Sequence, residues 1–204
     1  MVSAPVGTGK TTVLTERVVQ ALEKGIKPEE ILCLTFTNRA TEEMVEKLKS
    51  RIKEKEVVDN LTIKTFHGFC AYLVRAEAET AGVASDFIIF DEEERMEVFE
   101  SIVEKYPEYS LWNNGIEFRK RYLNNLLFQL YNYRMNQIEK QIGCQVNDYN
   151  IDNGLIKIGE EYRRSLEEQN ALDFDELVFL SVQILCTNEK VRNKWSKSFR
   201  FIQS

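Results

Sequence analysis

The chain has 204 residues, of which 43% are hydrophobic and 29% charged, and its formal net charge is −6 at pH 7. These values fit one or two domains of an ordinary soluble globular protein and argue against a generally basic nucleic-acid binder, while leaving room for a local basic groove. No apolar run approaches the roughly 20 residues of a membrane span, and no signal peptide precedes the first motif, so we expect a cytoplasmic protein without a membrane partner.

The N-terminal segment fits a phosphate-binding loop. Residues 4–12 read Ala-Pro-Val-Gly-Thr-Gly-Lys-Thr-Thr, with alanine at the first position, where glycine is more common. Small residues let backbone N–H groups close around phosphate oxygens, Lys10 would reach the β- and γ-phosphates, and the Thr11 hydroxyl would bind Mg²⁺. The alternative is a glycine-rich turn without a ligand. We predict a nucleoside triphosphate site formed by Ala4, Gly7, Thr8, Gly9, Lys10, Thr11 and Thr12.

Strand-type and helix-type segments alternate in the first part of the chain. Apolar runs at 31–35 and 61–65 have the character of buried parallel strands, and amphipathic helical segments follow them at 40–52 and 68–79. We also expect a strand before the phosphate loop and a helix after it that ends near Gly25. This alternation predicts an α/β domain with a parallel sheet.

The pattern turns helical near Asp91, which forms a capping-box sequence with Glu94. A long amphipathic helix is predicted over 116–141, and its apolar face is predicted from residues that recur every four positions: Phe118, Tyr122, Leu126 and Leu130. A strand-type run at 199–203 indicates that the α/β domain then resumes. We therefore expect an α/β domain interrupted by an all-helical block, with segments 1–90, 91–168 and 169–204.

Aromatic and polar side chains follow the predicted strands. Phe36, Thr37 and Asn38 come directly after the first strand, and Thr65 and His67 stand at the end of the next. The carboxyl ends of parallel strands form the edge where ligands bind in open sheets. Phe36 would suit base stacking, and Thr65 and His67 would suit phosphate contacts. The alternatives are that Phe36 belongs to the core and that His67 is a buried, hydrogen-bonded imidazole.

Four stretches together resemble the UvrD/Rep/PcrA-type superfamily-1 DNA helicases. APVGTGKTT at 4–12 resembles helicase motif I, LTFTNRATEEM at 34–44 motif Ia, and IKTFHGFC at 63–70 motif Ib. LDFDEL at 172–177 resembles the acidic motif that precedes motif II, although acids at a helix start explain most of this stretch by themselves. The resemblance spans essentially the whole chain and implies a first RecA-like domain with an inserted helical subdomain.

The resemblance assigns roles to the residues that match its motifs. Lys10 and Thr11 would bind the phosphates of ATP and Mg²⁺. The single-stranded DNA track would be lined by Phe36, Thr37, Asn38, Thr65 and His67. Closure against a second RecA-like domain, driven by ATP, would move the protein along one strand.

Several parts of the family pattern lie outside these 204 residues. In the family, the strand that resembles 199–203 continues into an Asp-Glu pair that holds Mg²⁺ and activates water. The segment that reads adenine and the second RecA-like domain with its arginine finger also lie outside. We therefore predict the N-terminal part of an ATP-dependent DNA helicase, which holds ATP without hydrolysing it and whose partners are single-stranded DNA and the missing second RecA-like domain.

A basic segment occurs in the middle of this acidic chain. Residues 117–140 hold five basic and two acidic side chains, which gives a local charge of +3. In the resembling helicases the inserted subdomain lies near the duplex, so Arg119, Lys120 and Arg121 are predicted to contact a junction between single and double strands. The alternative is an ordinary solvated helix face.

Two other functional classes share the phosphate loop. A small-molecule kinase or phosphotransferase would need its own acceptor site and does not predict the TFTN and TFHGFC stretches. A non-catalytic interaction module would retain only a vestigial loop, and the intact Gly9-Lys10-Thr11 sequence argues against that reading.

Overall fold

The computed structural model describes residues 10–109 and 115–204, with side chains from Thr12 onward. It has a mixed helix and strand architecture with parallel sheets, as the sequence predicts. Contacts divide the chain into two compact units, of which the first extends to Tyr72 and resumes at Lys190–Ser204. The second unit is Leu73–Glu189. The expected segment boundaries, after residues 90 and 168, both fall inside this second unit.

The elements of the described residues follow one another in chain order. The part before residue 110 contains α1 Lys10–Glu23, β1 Ile31–Thr35, α2 Asn38–Arg51, α3 Lys55–Asp59, β2 Thr62–Thr65, α4 Phe66–Ala76, α5 Ala78–Ala81, β3 Ile88–Ile89 and α6 Glu92–Val103. The part after residue 114 contains α7 Ile116–Gln141, α8 Asn153–Glu168, β4 Ala171–Leu172, α9 Phe174–Thr187, α10 Glu189–Ser198 and β5 Phe201–Gln203.

The first unit contains a parallel sheet whose described strands run in the order β2, β1, β5. Thr35 is paired with Thr65 in the register of β1 and β2, so these two strands end side by side. Gln203, which is 6% exposed at the end of β5, donates its amide to the Leu14 carbonyl of α1 at 3.1 Å. The Gln203 side chain thereby connects β5 to α1, the helix that follows the predicted phosphate loop.

Two groups of side chains hold the first unit together. Helices α1 and α2 pack with β1 through fully or nearly fully buried residues, among them Val18, Ala21, Ile31, Cys33, Met44 and Leu48. Helix α10 packs on α4 through aromatic rings, with Trp195 at 5.8 Å from Phe69 and 5.5 Å from Tyr72 between centroids. Burial raises the pKa of the Cys33 thiol to about 11, so this cysteine stays a neutral core residue.

The second unit is mainly helical. Helices α6, α7 and α8 bury a common core that includes Phe99, Ile102, Leu126, Leu130, Leu155, Ile158 and Tyr162. Gly159 of α8 permits a close approach to α7, because a Cβ atom there would lie 2.5 Å from Leu130 Cδ2. Strands β3 and β4 add a short parallel pair, with Ile88 opposite Ala171.

Several sequence-based expectations are confirmed by these elements. Asp91 caps α6 in a capping box with Glu94, and β1 and α7 have the predicted bounds. The expected helix over 68–79 is instead two helices, α4 and α5. Phe118 is a further correction, because it is 54% exposed and does not belong to the core face of α7. Among the helices in the described residues, none has both the length and the apolar character to cross a membrane.

Candidate functional site

The carboxyl edge of the sheet brings together the predicted residues that follow β1 and β2. Thr37 caps α2 by accepting a hydrogen bond from the Ala40 N–H at 3.1 Å. The Thr35 hydroxyl lies 2.6 Å from that of Thr41 and donates to the Thr37 carbonyl at 3.2 Å. These contacts fix the short connection between β1 and α2 on which Phe36 lies.

Phe36 is 92% exposed, which excludes the alternative that it belongs to the core. Its neighbour Asn38 is also exposed, at the first position of α2. A phenylalanine that contributes almost no buried surface does little for folding, whereas its ring can stack on a flat partner. Thr37 has a role that the sequence analysis missed, because its hydroxyl oxygen already serves as the helix cap.

The connection after β2 has a matching construction. Thr65 accepts a hydrogen bond from the Gly68 N–H at 3.0 Å, so its hydroxyl holds the first turn of α4. His67 is exposed, and the alternative of a buried imidazole is therefore wrong. Its ring contacts that of Phe66 edge to face, with 6.1 Å between centroids.

Phe66 was not predicted as a site residue, yet it is 46% exposed. It directly follows Thr65, as Phe36 directly follows Thr35, and Thr35 and Thr65 are paired in the sheet. An aromatic residue immediately after a parallel strand was the signal available in the sequence. Two exposed aromatic rings thus lie at the same edge of the sheet.

The nucleotide site is described only in part. Ala4, Gly7, Thr8 and Gly9 lie outside the described residues, as do the side chains of Lys10 and Thr11. Helix α1 begins at Lys10, Thr12 is exposed, and the first turn contains no acidic residue. The positive end of this helix is therefore not neutralised by an acid of its own first turn, which suits an anionic ligand. The described residues contain no group of three or more His, Cys, Asp or Glu side chains suited to a metal ion.

The three basic residues predicted at the start of α7 have different environments in the second unit. Arg119 forms ion pairs with Glu100 of α6 and with Glu104, the residue that follows α6, and its side chain is 32% exposed. Lys120 and Arg121 are exposed and have no ion pair among the described residues. Sequence reasoning could not separate them, because the partners of Arg119 lie on another helix.

The acidic stretch at 172–177 has a structural role in the second unit. Asp173 is 2% exposed, accepts a hydrogen bond from the Tyr162 hydroxyl at 2.7 Å, and caps α9 by accepting from the Glu176 N–H at 2.7 Å. Burial raises the pKa of the Asp173 carboxyl, which the hydrogen bonds from Tyr162 and Glu176 partly counteract. This confirms the prediction of a helix start.

The flanking acids of this stretch bind arginines from other helices. Asp175 forms an ion pair with Arg95 at 2.9 Å. Glu176 forms a bidentate ion pair with Arg134. The Arg134 guanidinium also lies 3.6 Å from the centroid of the Phe179 ring. Arg134 contributed to the basic charge predicted for α7, and this pair neutralises it. The stretch therefore connects α6 and α7 to α9.

Comparison with known proteins decides the family. The family model for the UvrD/REP helicase N-terminal domain matches residues 1–203. The chain belongs to this family.

The chain is distantly similar to individual members of the UvrD/REP family over nearly its whole length. It is 26% identical over 204 residues to the ATP-dependent DNA helicase PcrA of Staphylococcus aureus, covering 99% of this chain and 26% of that protein. It is 27% identical over 203 residues to the ATP-dependent DNA helicase Rep of Buchnera aphidicola, covering 99% and 28%. It is 25% identical over 200 residues to a probable DNA helicase II homolog of Mycoplasma capricolum, covering 98% and 27%. The chain thus spans about a quarter of the length of these relatives.

Proposed function

We propose that this chain is the ATP- and single-stranded-DNA-binding part of an ATP-dependent DNA helicase or translocase. Membership of the UvrD/REP family supports the proposal, since relatives matched over nearly the whole chain are named ATP-dependent DNA helicases. In this proposal the first unit is a RecA-like domain and the helical block is a subdomain inserted into it.

The observation that carries the proposal is the 92% exposure of Phe36 at the carboxyl edge of the sheet. Its ring is available for a base to stack on, and Phe66 supplies a second, half-exposed ring at the paired strand end. Asn38 and the hydroxyl proton of Thr37 would bind polar groups of the strand, while Thr65 and His67 would bind phosphate. Aromatic rings flanked by polar groups are the usual chemistry of single-strand binding.

Nucleotide binding is proposed at the N-terminus of α1. Lys10 would bind the phosphates of ATP, Thr11 would bind Mg²⁺, and the backbone of the loop that includes Ala4, Gly7, Thr8, Gly9 and Thr12 would surround the phosphate oxygens. The absence of an acid in the first turn of α1 is compatible with this role. When bound, Mg²⁺-ATP supplies the phosphoanhydride whose hydrolysis drives movement in such motors. In the family, that hydrolysis uses carboxylates and an arginine from outside these 204 residues, so this chain is proposed to hold ATP without turnover.

The helical unit is proposed to contact the junction between single and double strands through Lys120 and Arg121. Arg119 is now assigned a structural role, because Glu100 and Glu104 already neutralise it. The second RecA-like domain of the family is the further partner that this proposal implies.

The experiment that tests the DNA site removes the aromatic ring of Phe36 and keeps an apolar side chain at that position. Phe36→Leu keeps an apolar side chain of similar size, and Phe36→Trp keeps an aromatic ring. Because a stacked base is worth roughly 1–3 kcal/mol, Phe36→Leu should weaken binding of a fluorescent oligothymidine about 5- to 150-fold, whereas Phe36→Trp should retain it. Fluorescence anisotropy measures both affinities.

Circular dichroism and thermal unfolding provide the control, since a residue that is 92% exposed should not change the fold when replaced. Equal affinities of the wild type and Phe36→Leu, with both folded, would remove Phe36 from the DNA site. A loss of fold in Phe36→Leu would also contradict the structural basis of the proposal.

A further inference from the structure

The outward face of α7 carries an unusual set of side chains. Residues at steps of three or four lie on one face of a helix. On this face they are Phe118, Arg121, Asn125, Phe128 and Asn132, which we call the α7 stripe. The opposite face of α7 buries the leucines of the core, at positions 123, 126, 127 and 130.

The two phenylalanines of the α7 stripe are well exposed, Phe118 by 54% and Phe128 by 63%. Outward helix faces normally carry charged and polar side chains, so two exposed rings on one face depart from the usual pattern. The stripe contains no acid, although α6 of the same unit has glutamates at 92, 93, 94, 97 and 100. The stripe itself thus carries one positive charge, that of Arg121, and no negative charge.

The polar members of the stripe keep hydrogen-bonding groups for a ligand. Asn125 accepts from the Gln129 amide at 2.6 Å, and Asn132 donates to the Phe128 carbonyl at 2.8 Å. Among the described residues, no partner is seen for the Asn125 amide N–H groups, the Asn132 side-chain oxygen or the Arg121 guanidinium. The stripe therefore offers two rings, a cation, amide donors and an acceptor.

The spacing of the rings favours nucleic acid over a protein surface. Ten residues separate Phe118 from Phe128, which is about 15 Å along a helix. Protein interfaces bury contiguous apolar area at their centre, whereas here Arg121 and Asn125 separate the two rings. In a stacked strand that rises about 3.4 Å per nucleotide, 15 Å corresponds to about four nucleotides, with phosphates between the rings for a cation to bind.

We propose that the α7 stripe binds unpaired bases of single-stranded DNA. Phe118 and Phe128 are the stacking platforms, Arg121 binds an intervening phosphate, and Asn125 and Asn132 bind base or sugar groups. The inference rests on the proposed function, because it assigns a second contact for the strand that the sheet edge is proposed to bind. It changes the role of Arg121 from a contact with duplex phosphates to one with the single strand.

The test uses the 204-residue chain and a fluorescent twenty-nucleotide oligothymidine. Phe118→Leu with Phe128→Leu removes both platforms, and Phe118→Trp with Phe128→Trp is the matched control that keeps them. The leucine variant should bind at least about fivefold more weakly, and the tryptophan variant should bind like the wild type. Arg121→Ala should reduce the slope of log affinity against log salt by about 0.7, while the leucine variant should leave that slope unchanged.

A cross-linking arm separates this inference from the proposed function. The oligonucleotide carries 5-iodouracil, and the cross-linked peptides are mapped by mass spectrometry after irradiation. Cross-links at Phe118 or Phe128 support the α7 stripe. Cross-links at Phe36 alone, with unchanged affinity of the folded leucine variant, overturn the stripe and leave the proposed function standing.

Two further outcomes would also overturn the inference. Absence of oligonucleotide binding by the wild-type chain would reject both the stripe and the proposed DNA site. If the leucine variant binds DNA normally but loses self-association in analytical ultracentrifugation, the stripe is an interface between copies of the chain.

Discussion

The buried pair of Tyr162 and Asp173 should contribute to the pH dependence of stability in the helical unit. Tyr162→Phe removes only the hydroxyl, since the ring still packs edge to face against Phe99 at 5.2 Å. The variant leaves a carboxylate that is 2% exposed without one of its two hydrogen-bond donors. A hydrogen bond to a charged group contributes about 1.5–3 kcal/mol, so we expect that loss in the free energy of unfolding at pH 7.

The sign of the pH effect follows from the raised pKa of Asp173. Because its folded pKa lies above the ordinary value of 3.8, the folded state holds the proton more tightly than the unfolded state does. The stabilisation from this protonation is complete below the unfolded pKa and is lost as the pH rises through the folded pKa. The Tyr162 hydroxyl lowers that folded pKa, so Tyr162→Phe should raise it further. The variant should therefore lose less stability at pH 4 than at pH 7.

Urea unfolding followed by circular dichroism at pH 4 and pH 7 measures this difference. Tyr122→Phe is the matched control, because no hydrogen bond of the Tyr122 hydroxyl is seen in the described residues, and it should change stability by less than about 0.5 kcal/mol. In an Asp173→Asn background, the pH dependence of the Tyr162→Phe effect should disappear. An equal loss at both pH values, or a loss no greater than that of Tyr122→Phe, would show that the Tyr162 hydroxyl does not stabilise the Asp173 carboxylate.

Two further predictions concern residues whose roles the structure separates. Arg119→Glu should lower the free energy of unfolding by about 1 kcal/mol, because it opposes Glu100 and Glu104, and should leave the salt dependence of junction binding unchanged. Lys120→Glu should leave the free energy of unfolding unchanged and should reduce the salt dependence of junction binding, because Lys120 is exposed and is proposed to contact phosphates. Equal effects of the two variants on salt dependence would contradict this assignment. Gly68→Ala places a Cβ atom 2.9 Å from Thr65 Oγ1 and should displace that hydroxyl. The lost cap costs about 1 kcal/mol and the gain in helix propensity offsets most of it, so urea unfolding should change little while oligonucleotide binding weakens. Unchanged affinity would show that the Thr65 hydroxyl does not contact DNA.

Local patterns in the sequence were sufficient for much of the fold. The apolar run of β1 and the capping box of α6 are determined by neighbouring residues, and both are confirmed. The error at Phe118 also has a local cause. Four residues of an α-helix exceed one full turn by about 40°. Phe118 and Leu130 are three such steps apart, so their directions around the helix axis differ by about 120° and they do not share a core face.

Features that depend on residues far apart in the sequence could not be predicted from local sequence patterns. Strands β3 and β4 have two residues each, and their pairing joins Ile88 to Ala171. The ion pairs of Arg119 with Glu100 and Glu104, and of Arg134 with Glu176 of α9, likewise depend on tertiary packing. At the sheet edge, the order of residues located Phe36 and His67, but only the structure showed that both are exposed.

Nucleotide binding by this chain is tested directly by titration with a fluorescent ATP analogue in the presence of Mg²⁺. Lys10→Ala is the variant, and EDTA removes the metal. We expect saturable binding at one site. Binding should be about tenfold or more weaker in Lys10→Ala, because a charge-assisted hydrogen bond to phosphate contributes about 1.5–3 kcal/mol, and it should also be weaker with EDTA. Phosphate release should stay at background with and without oligothymidine. Equal binding by the wild type and a folded Lys10→Ala variant would contradict the nucleotide site, and so would the absence of any binding by the wild type.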